Sequence, residues 1–243
     1  VGVESGDDCT LNSTGAGAAF ASANVANNIN VTFSGYALAG TAAGNYTLTQ
    51  PASVLANITP KALSITANTV NKIYGDVLTN GSGKTAFTSS GLVSGETIAS
   101  VTLTYGTGAA GTDPVAATNV GGIVASAPVA GVGFNPSNYA ITYTAGDLTV
   151  TPRTLTVNAT IVNKPYGDVL TSGAGYTGFT ISGLQNSETA TSVTSVFSVL
   201  GSAATDNAGT VGSVSISALT GGTFNAANYT IGYNSAAVNV TPR

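Results

Sequence analysis

Apolar and polar residues alternate with a period of two along several stretches of this chain, which is the spacing of a half-buried β-strand. The segment TLTVNATI places four apolar residues on one face: Leu155, Val157, Ala159 and Ile161. The segment ALSITAN does the same with Leu63, Ile65 and Ala67. Later alternating stretches add eight predicted core positions: Tyr139, Ile141, Leu148, Val150, Tyr229, Ile231, Val238 and Val240. No stretch has three or four turns of helical periodicity, so the pattern predicts an all-β or strongly β-rich fold.

Ordered landmarks recur along the chain at a nearly fixed spacing, which indicates internal repeats. NKIYGDVLTNGSG is followed by NKPYGDVLTSGAG, so that Tyr74 and Tyr166 stand 92 residues apart. FNPSNYAITY likewise recurs as FNAANYTIGY. ITPK, VTPR and VTPR close three units, at Pro60, Pro152 and Pro242. Proline fixes φ and removes a backbone donor, so it suits the end of one strand ladder.

These landmarks predict three modules, an incomplete repeat at 1–60 and full repeats at 61–152 and 153–243. They abut without a flexible linker, which predicts a semi-rigid rod. GVESGD at the start matches GLVSGE from Gly91, so the first module lacks the strand that carries Lys-x-Tyr-Gly-Asp. A sheet without that strand has an open edge. Either preceding sequence or a head-to-tail copy of the chain would then supply the strand, and a complete sheet built from 1–60 alone would contradict both.

Composition removes several classes of function. Only 7% of residues are charged, against about 25% in an ordinary globular protein. The net charge of −4 with six basic residues argues against nucleic-acid binding, and no apolar run is long enough for membrane insertion. The sequence has no His, Met or Trp, which excludes Ser-His and Cys-His catalytic pairs. We therefore expect no catalytic residue, no cofactor and no metal site, and we expect the single Cys9 to be buried and inert.

The quoted motifs resemble a known family. The Lys-x-Tyr-Gly-Asp opening, the SGLVSGE middle and the Asn-Tyr…Val-Thr-Pro-Arg close resemble MBG domains of the YGX type. SGYALAGTAAGNYTLTQP in the first module resembles the second half of a YDG domain. The resemblance implies tandem β-grasp-like modules, each with one short helix, in large secreted or cell-surface bacterial adhesins related to filamentous haemagglutinins. An immunoglobulin-like β-sandwich is the alternative architecture.

The repeated motif is interpreted as a structural signature. Its members occupy matched positions in the two full modules: Lys72, Tyr74, Gly75, Asp76 and Glu96, then Lys164, Tyr166, Gly167, Asp168 and Glu188. Glycine tolerates positive φ, the aspartate can accept bonds from the backbone just beyond it, and tyrosine adds an aromatic ring to the core. The lysine and glutamate could form an ion pair, and a sharper alternative is an intramolecular isopeptide bond at the lysine. Lys61, Arg153 and Arg243 begin or end modules and are expected at the joints between them.

Three functions remain open. The first is a non-catalytic stalk in an extracellular adhesin or fibre, whose partners are neighbouring repeats or head-to-tail copies assembled into filaments. The second is a module that binds a host or environmental glycan or a mucin. The third is an enzyme, whose base would have to be a repeated Asp or Glu because the chain has no histidine.

Overall fold

The structure, a computed structural model, describes residues 2–115 and 118–243. Strands account for 51% of the chain and helical turns for 5%, which confirms the prediction of a β-rich fold. Among the described residues, no helix is long and apolar enough to cross a membrane.

The first module contains five short strands and one 3-10 turn at Ala43–Asn45. The strands are β1 (Thr10–Asn12), β2 (Gly17–Phe20), β3 (Ala26–Ser34), β4 (Ala37–Ala39) and β5 (Val54–Ile58). They form a two-stranded sheet, β1-β4, and a three-stranded sheet in the order β2-β3-β5. In that order β5 lies at the edge, paired with β3 alone.

The second and third modules repeat one order of elements. The second has β6 (Lys61–Ala67), β7 (Val70–Ile73), β8 (Gly81–Lys84), β9 (Phe87–Ser90), β10 (Ile98–Tyr105), β11 (Thr118–Ala130), β12 (Tyr139–Thr144) and β13 (Gly146–Thr151). The third has β14 (Arg153–Ala159), β15 (Val162–Pro165), β16 (Gly173–Tyr176), β17 (Phe179–Ser182), β18 (Ser192–Phe197), β19 (Val211–Thr220), β20 (Tyr229–Asn234) and β21 (Ala236–Thr241). A 3-10 turn precedes β12 at Pro136–Asn138 and β20 at Ala226–Asn228, and the third module adds a helical segment, α1 (Val199–Ser202).

The same sheet topology is found in both full modules. The orders β7-β13-β11-β10-β8 and β15-β21-β19-β18-β16 correspond strand for strand. So do the three-stranded orders β12-β6-β9 and β20-β14-β17. In the five-stranded sheets, the strand carrying the Lys-x-Tyr-Gly-Asp lysine runs parallel to the last strand of its module, β7 beside β13 and β15 beside β21. The module boundaries at Pro60 and Pro152 remain predictions.

The core of the third module lies between its two sheets. Leu155 and Val157 of β14 pack in one apolar cluster with Val193, Val214 and Val238 of the five-stranded sheet. The resemblance implied a helix in each module, but the layer facing this sheet consists of strands. The sandwich alternative therefore describes the layering of this module better than a β-grasp arrangement. Its parallel pairs differ from the antiparallel sheets of an immunoglobulin domain.

The chain divides into two compact units that do not follow the sequence repeats. The first comprises Val1–Ile65, Ser89–Ala99 and Pro128–Thr142. The second comprises Thr66–Thr88, Ser100–Ala127 and Tyr143–Arg243. The first module thus belongs to one unit, and the third module belongs to the other.

Most of the predicted core positions are buried. Twelve of the predicted core residues occupy matching positions in the two full modules. Ten of these twelve are 7% exposed or less: Leu63, Ile65, Tyr139, Leu148, Val150, Leu155, Val157, Tyr229, Val238 and Val240. Ile141 and Ile231 are partly buried, and Cys9, at 8%, is buried as expected. The prediction for Ile161 is wrong, because β14 ends at Ala159 and the Ile161 side chain, two residues further on, is 63% exposed.

The third-module core yields a matched pair of substitutions. Leu155→Ala removes a side chain that is fully buried between the sheets, and we expect it to lower the free energy of unfolding by about 2–5 kcal/mol. Leu200→Ala makes the same chemical change at a side chain that is 64% exposed, and it should change stability by less than about 0.5 kcal/mol. Denaturant unfolding measures both values. Equal losses would contradict the assignment of this core.

Candidate functional site at the joints between modules

The Tyr-Gly-Asp segment forms the same tight turn in both full modules. After β7, the Tyr74 amide donates to the carbonyl of Thr151 at 2.9 Å, and the Asp76 amide donates back to the carbonyl of Ile73 at 3.1 Å. Gly75, between them, has φ of +92°, which a side chain would strain. Gly167 in the third module has φ of +94°. The prediction that the two glycines share one conformation is confirmed.

A buried lysine fastens each turn to a second loop. Lys72 is 3% exposed, and its ammonium group donates to the carbonyls of Asp76, at 3.0 Å, and Ala110. Burial lowers the pKa of Lys72 below its ordinary value. The negative charges of Asp113 and Asp76 act in the opposite direction but do not cancel this effect. Asp113 in turn accepts bonds from the backbone amides of Gly108 and Ala110, so it also orders that loop.

The third module contains the same lysine arrangement. Lys164 is 1% exposed and donates to the carbonyls of Asp168, at 2.9 Å, and Ala203, at 2.6 Å. Asp206 accepts from the Ala203 amide at 2.8 Å, as Asp113 does from Ala110. The predicted ion pair between the repeated lysine and glutamate is therefore wrong here, because the Lys164 ammonium binds backbone carbonyls. The intramolecular isopeptide bond remains a prediction, which the intact mass of the protein would test.

Glu188 binds two tyrosine hydroxyls, one from each full module. Its Oε1 accepts from the Tyr74 hydroxyl at 2.7 Å, and its Oε2 accepts from the Tyr229 hydroxyl. The two rings meet edge to face, with centroids 5.4 Å apart and planes at 80°. Tyr74 and Tyr229 are only 3% and 6% exposed. Hydrogen bonds to a charged acceptor contribute about 1.5–3 kcal/mol, so this cluster is the strongest polar link in the joint.

Arg153, the first residue of the third module, also contacts the Tyr-Gly-Asp turn. Its Nε donates to the Tyr74 carbonyl at 2.6 Å, and its guanidinium forms an ion pair with the Asp76 carboxylate. The motif predicts that this aspartate accepts hydrogen bonds from nearby backbone amides, whereas in the structure its carboxylate pairs with the arginine. Side-chain exposures of 27% and 52% make the pair a weak contributor, worth about 0–1 kcal/mol.

Two asparagines complete this joint through backbone groups. Asn186 Nδ2 donates to the Gly111 carbonyl at 3.0 Å, and Asn228 Oδ1 accepts from the Val115 amide at 2.9 Å. Asn228 is 4% exposed, so its bond is shielded from water. The second and third modules thus meet through fixed, mostly buried contacts. We did not predict either asparagine as a joint residue, although Asn228 belongs to the repeated Asn-Tyr pair.

The acid–tyrosine pair recurs in every module. In the second module, Glu96 accepts from the Tyr139 hydroxyl, which itself accepts from the Val93 amide at 3.1 Å. In the first module, Asp7 accepts from the Tyr46 hydroxyl at 2.7 Å, and that hydroxyl accepts from the Glu4 amide at 2.9 Å. These matched bonds support the alignment of GVESGD with GLVSGE. In the sequence the partners lie 39 to 43 residues apart, which hides the pairing from any local pattern.

The joint between the first and second modules repeats part of this geometry. The Val25 amide donates to Asn138 Oδ1 at 2.9 Å, as Val115 donates to Asn228. No tyrosine of residues 2–60 approaches Glu96 in the way that Tyr74 approaches Glu188. A cavity of about 440 Å³ lies there instead, lined by Glu96, Tyr139, Asn138, Asn24 and Lys61 among others.

The remaining motif residues lie at the far end of the third module. Tyr166 is the counterpart of Tyr74, yet it is 45% exposed, whereas Tyr74 is 3% exposed. Gly167 lies close to the guanidinium of Arg243, which corresponds to Arg153. Within residues 2–115 and 118–243, no group of three or more Cys, Asp or Glu side chains is arranged to hold a metal ion.

Comparison with protein-family models identifies two domains. Residues 1–54 match the YDG domain, and residues 63–149 match the MBG domain of the YGX type. The resemblance deduced from the sequence motifs is therefore confirmed. Searches of curated proteins and of solved structures gave no significant match.

The tyrosine cluster makes stability depend on pH. Burial and the hydrogen bond to Glu188 raise the pKa of both Tyr74 and Tyr229 above the ordinary value of 10.0. The folded protein therefore holds these protons more tightly than the unfolded chain does. Their stabilising contribution is complete below pH 10 and is lost as the pH rises above it. We therefore expect the free energy of unfolding to be lower at pH 11 than at pH 8. The upper value, pH 11, lies about one unit above the ordinary tyrosine pKa.

Two matched variants isolate that effect from the titration of other residues. Tyr74→Phe removes one of the raised phenols, so its stability should fall less steeply over this interval. Tyr166→Phe removes an exposed tyrosine from the same motif and should keep the wild-type slope. Denaturant unfolding at both pH values gives the three slopes. If Tyr74→Phe retains the wild-type slope, the cluster is not the source of the pH dependence.

Proposed function

We propose that this chain, in which a YDG domain at residues 1–54 is followed by an MBG domain of the YGX type at residues 63–149, is a non-catalytic stalk segment of a secreted or surface-exposed bacterial adhesin. Its role is mechanical. The modules hold their neighbours in fixed orientations and carry whatever lies beyond them away from the cell surface. No substrate, cofactor or metal takes part.

The observation that carries this proposal is the shared carboxylate of Glu188. Tyr74 reaches it from the second module, and Tyr229 reaches it from the third. Glu188 is partly buried, and its carboxylate would be left partly unpaired if it lost one of these donors, at a cost of about 1–3 kcal/mol. Bending at the joint would break this bond, so the chemistry opposes bending.

The use of the charged residues also supports a structural role. In a chain with only 7% charged residues, most repeated charges hold turns or joints. Lys72 and Lys164 bind loop carbonyls, Asp113 orders a loop, and Glu188 binds two phenols. Three of the four repeated acids that could serve as the base of an enzyme, Asp76, Glu96 and Glu188, are already engaged in structural bonds.

Residual dipolar couplings test the stiffness on which this role depends. We expect the backbone amides of the β7-β13-β11-β10-β8 sheet and those of the third module to fit one alignment tensor. Tyr74→Ala should decouple them by removing both the ring contact and the bond to Glu188. Tyr166→Ala, which changes the exposed counterpart, should leave the common tensor intact. Independent tensors in the wild-type chain would contradict a stalk with fixed joints.

A further inference from the structure

We propose that the first module and the cavity beside Glu96 form a binding site for an extended polypeptide segment that carries a Lys-x-Tyr-Gly-Asp sequence and is supplied from outside residues 2–60. The two full modules show what such a segment does when it is present. Three separate features, two in the first module and one at Glu96 of the second module, each lack the partner that their counterparts have.

The first feature is the outer edge of β5. By the alignment of ITPK with VTPR, β5 corresponds to β13 and β21. Each of those strands pairs on one side with an antiparallel strand and on the other with the parallel strand that carries the motif lysine. The pairs Leu148–Val70 and Val150–Lys72 set the register in the second module. In the three-stranded sheet that contains it, β5 pairs only with β3. Its backbone groups on the other side face no strand of that sheet.

The second feature is the segment at residues 46–50. It corresponds to β12 and β20, which pair with β6 and β14 at the starts of the full modules. In the third module this pairing is parallel and runs from Arg153–Tyr229 to Asn158–Asn234. Residues 46–50 follow a 3-10 turn, as β12 and β20 do, but they are not part of a strand. Residues 46–50 therefore lack a partner strand equivalent to β6 and β14.

The third feature is the cavity at Glu96. In the joint between the second and third modules, the corresponding carboxylate of Glu188 accepts from Tyr229 and also from Tyr74. Glu96 has its tyrosine from the same module, Tyr139, and a cavity of about 440 Å³ beside it. The side chains that line this cavity include a carboxylate, a phenol and amides, which suit a tyrosine hydroxyl. The cavity therefore lies where a second tyrosine would complete the cluster.

One continuous segment can satisfy all three features. In the second module, β6, β7 and the Tyr-Gly-Asp turn follow one another within residues 61–76. A segment of this sequence would pair through its first strand with residues 46–50 and through its second strand with β5. Its tyrosine would then reach Glu96. Ala56 and Ile58, which correspond to the buried Leu148 and Val150, are only partly buried and would be covered.

The test uses the full 243-residue chain and a synthetic peptide with the sequence of residues 61–77, KALSITANTVNKIYGDV. We expect saturable binding by calorimetry. We also expect slower amide hydrogen exchange at Val54–Ile58 and at residues 46–50. A peptide whose tyrosine is replaced by alanine should bind at least about tenfold more weakly, the factor that 1.4 kcal/mol represents. Because that change lies in the peptide, it cannot disturb the folding of the chain.

A second pair of variants localises the site on the chain. Glu96→Gln should weaken the peptide by a similar factor, while Glu4→Gln, at an exposed glutamate, should not. Absence of binding, or equal binding by the alanine peptide, would overturn the proposal. The proposal would also be overturned if the chain formed oligomers that persist at a saturating concentration of the peptide. In that case a second copy of the folded chain would occupy the surface. Binding of a glycan that Glu96→Gln abolishes and the peptide does not displace would assign the cavity to a sugar instead.

Discussion

The partly buried carboxylate of Glu188, which two buried tyrosines share, is the constraint from which the joint between the second and third modules follows. A carboxylate that is partly withdrawn from water needs hydrogen-bond donors, and here two phenols provide them. Tyr74 can do so only if its backbone is held in one place. Gly75 supplies the positive φ of the turn, and Lys72 ties the turn to a second loop. The Lys-x-Tyr-Gly-Asp motif of the second module therefore positions Tyr74 to donate to Glu188 of the third module.

The three modules differ in how far this arrangement is completed. Every module has its own acid–tyrosine pair, and among residues 2–115 and 118–243 only the Glu188 pair receives a second tyrosine. At Glu96 the place of that tyrosine is a cavity, and at the far end of the third module Tyr166 is exposed. The same chain thus contains a carboxylate with both tyrosines, at Glu188, a carboxylate with one tyrosine beside a cavity, at Glu96, and an exposed motif tyrosine, Tyr166. This comparison connects the stalk proposal with the proposed segment-binding site.

The local pattern predicted much of the fold, because alternation and glycine chemistry depend on neighbouring residues. It placed Leu155 and Val157 in the core and gave Gly75 its turn. It failed at Ile161, where the alternation continued beyond the end of the strand. The parallel pairing of β7 with β13 was also missed, since no local periodicity records which strands become neighbours.

The candidate site was predictable only in part. The repeat identified Lys72, Tyr74 and Glu188 as members of one signature, but it paired the lysine with the glutamate on charge alone. The structure shows other partners for both groups. The buried ammonium of Lys72 donates to backbone carbonyls, and the carboxylate of Glu188 accepts from phenols. Tyr74 and Glu188 are 114 residues apart in the sequence, so only the folded chain shows that they meet.

A double-mutant cycle on Tyr74 and Glu188 tests the central claim most directly. The free energy of unfolding is measured for the wild type, Tyr74→Phe, Glu188→Gln and the double variant. If the shared carboxylate holds the joint, the double variant should lose less than the sum of the single losses, with a coupling energy of about 1–3 kcal/mol. Strictly additive losses would show that the two residues stabilise the protein independently and would contradict the account.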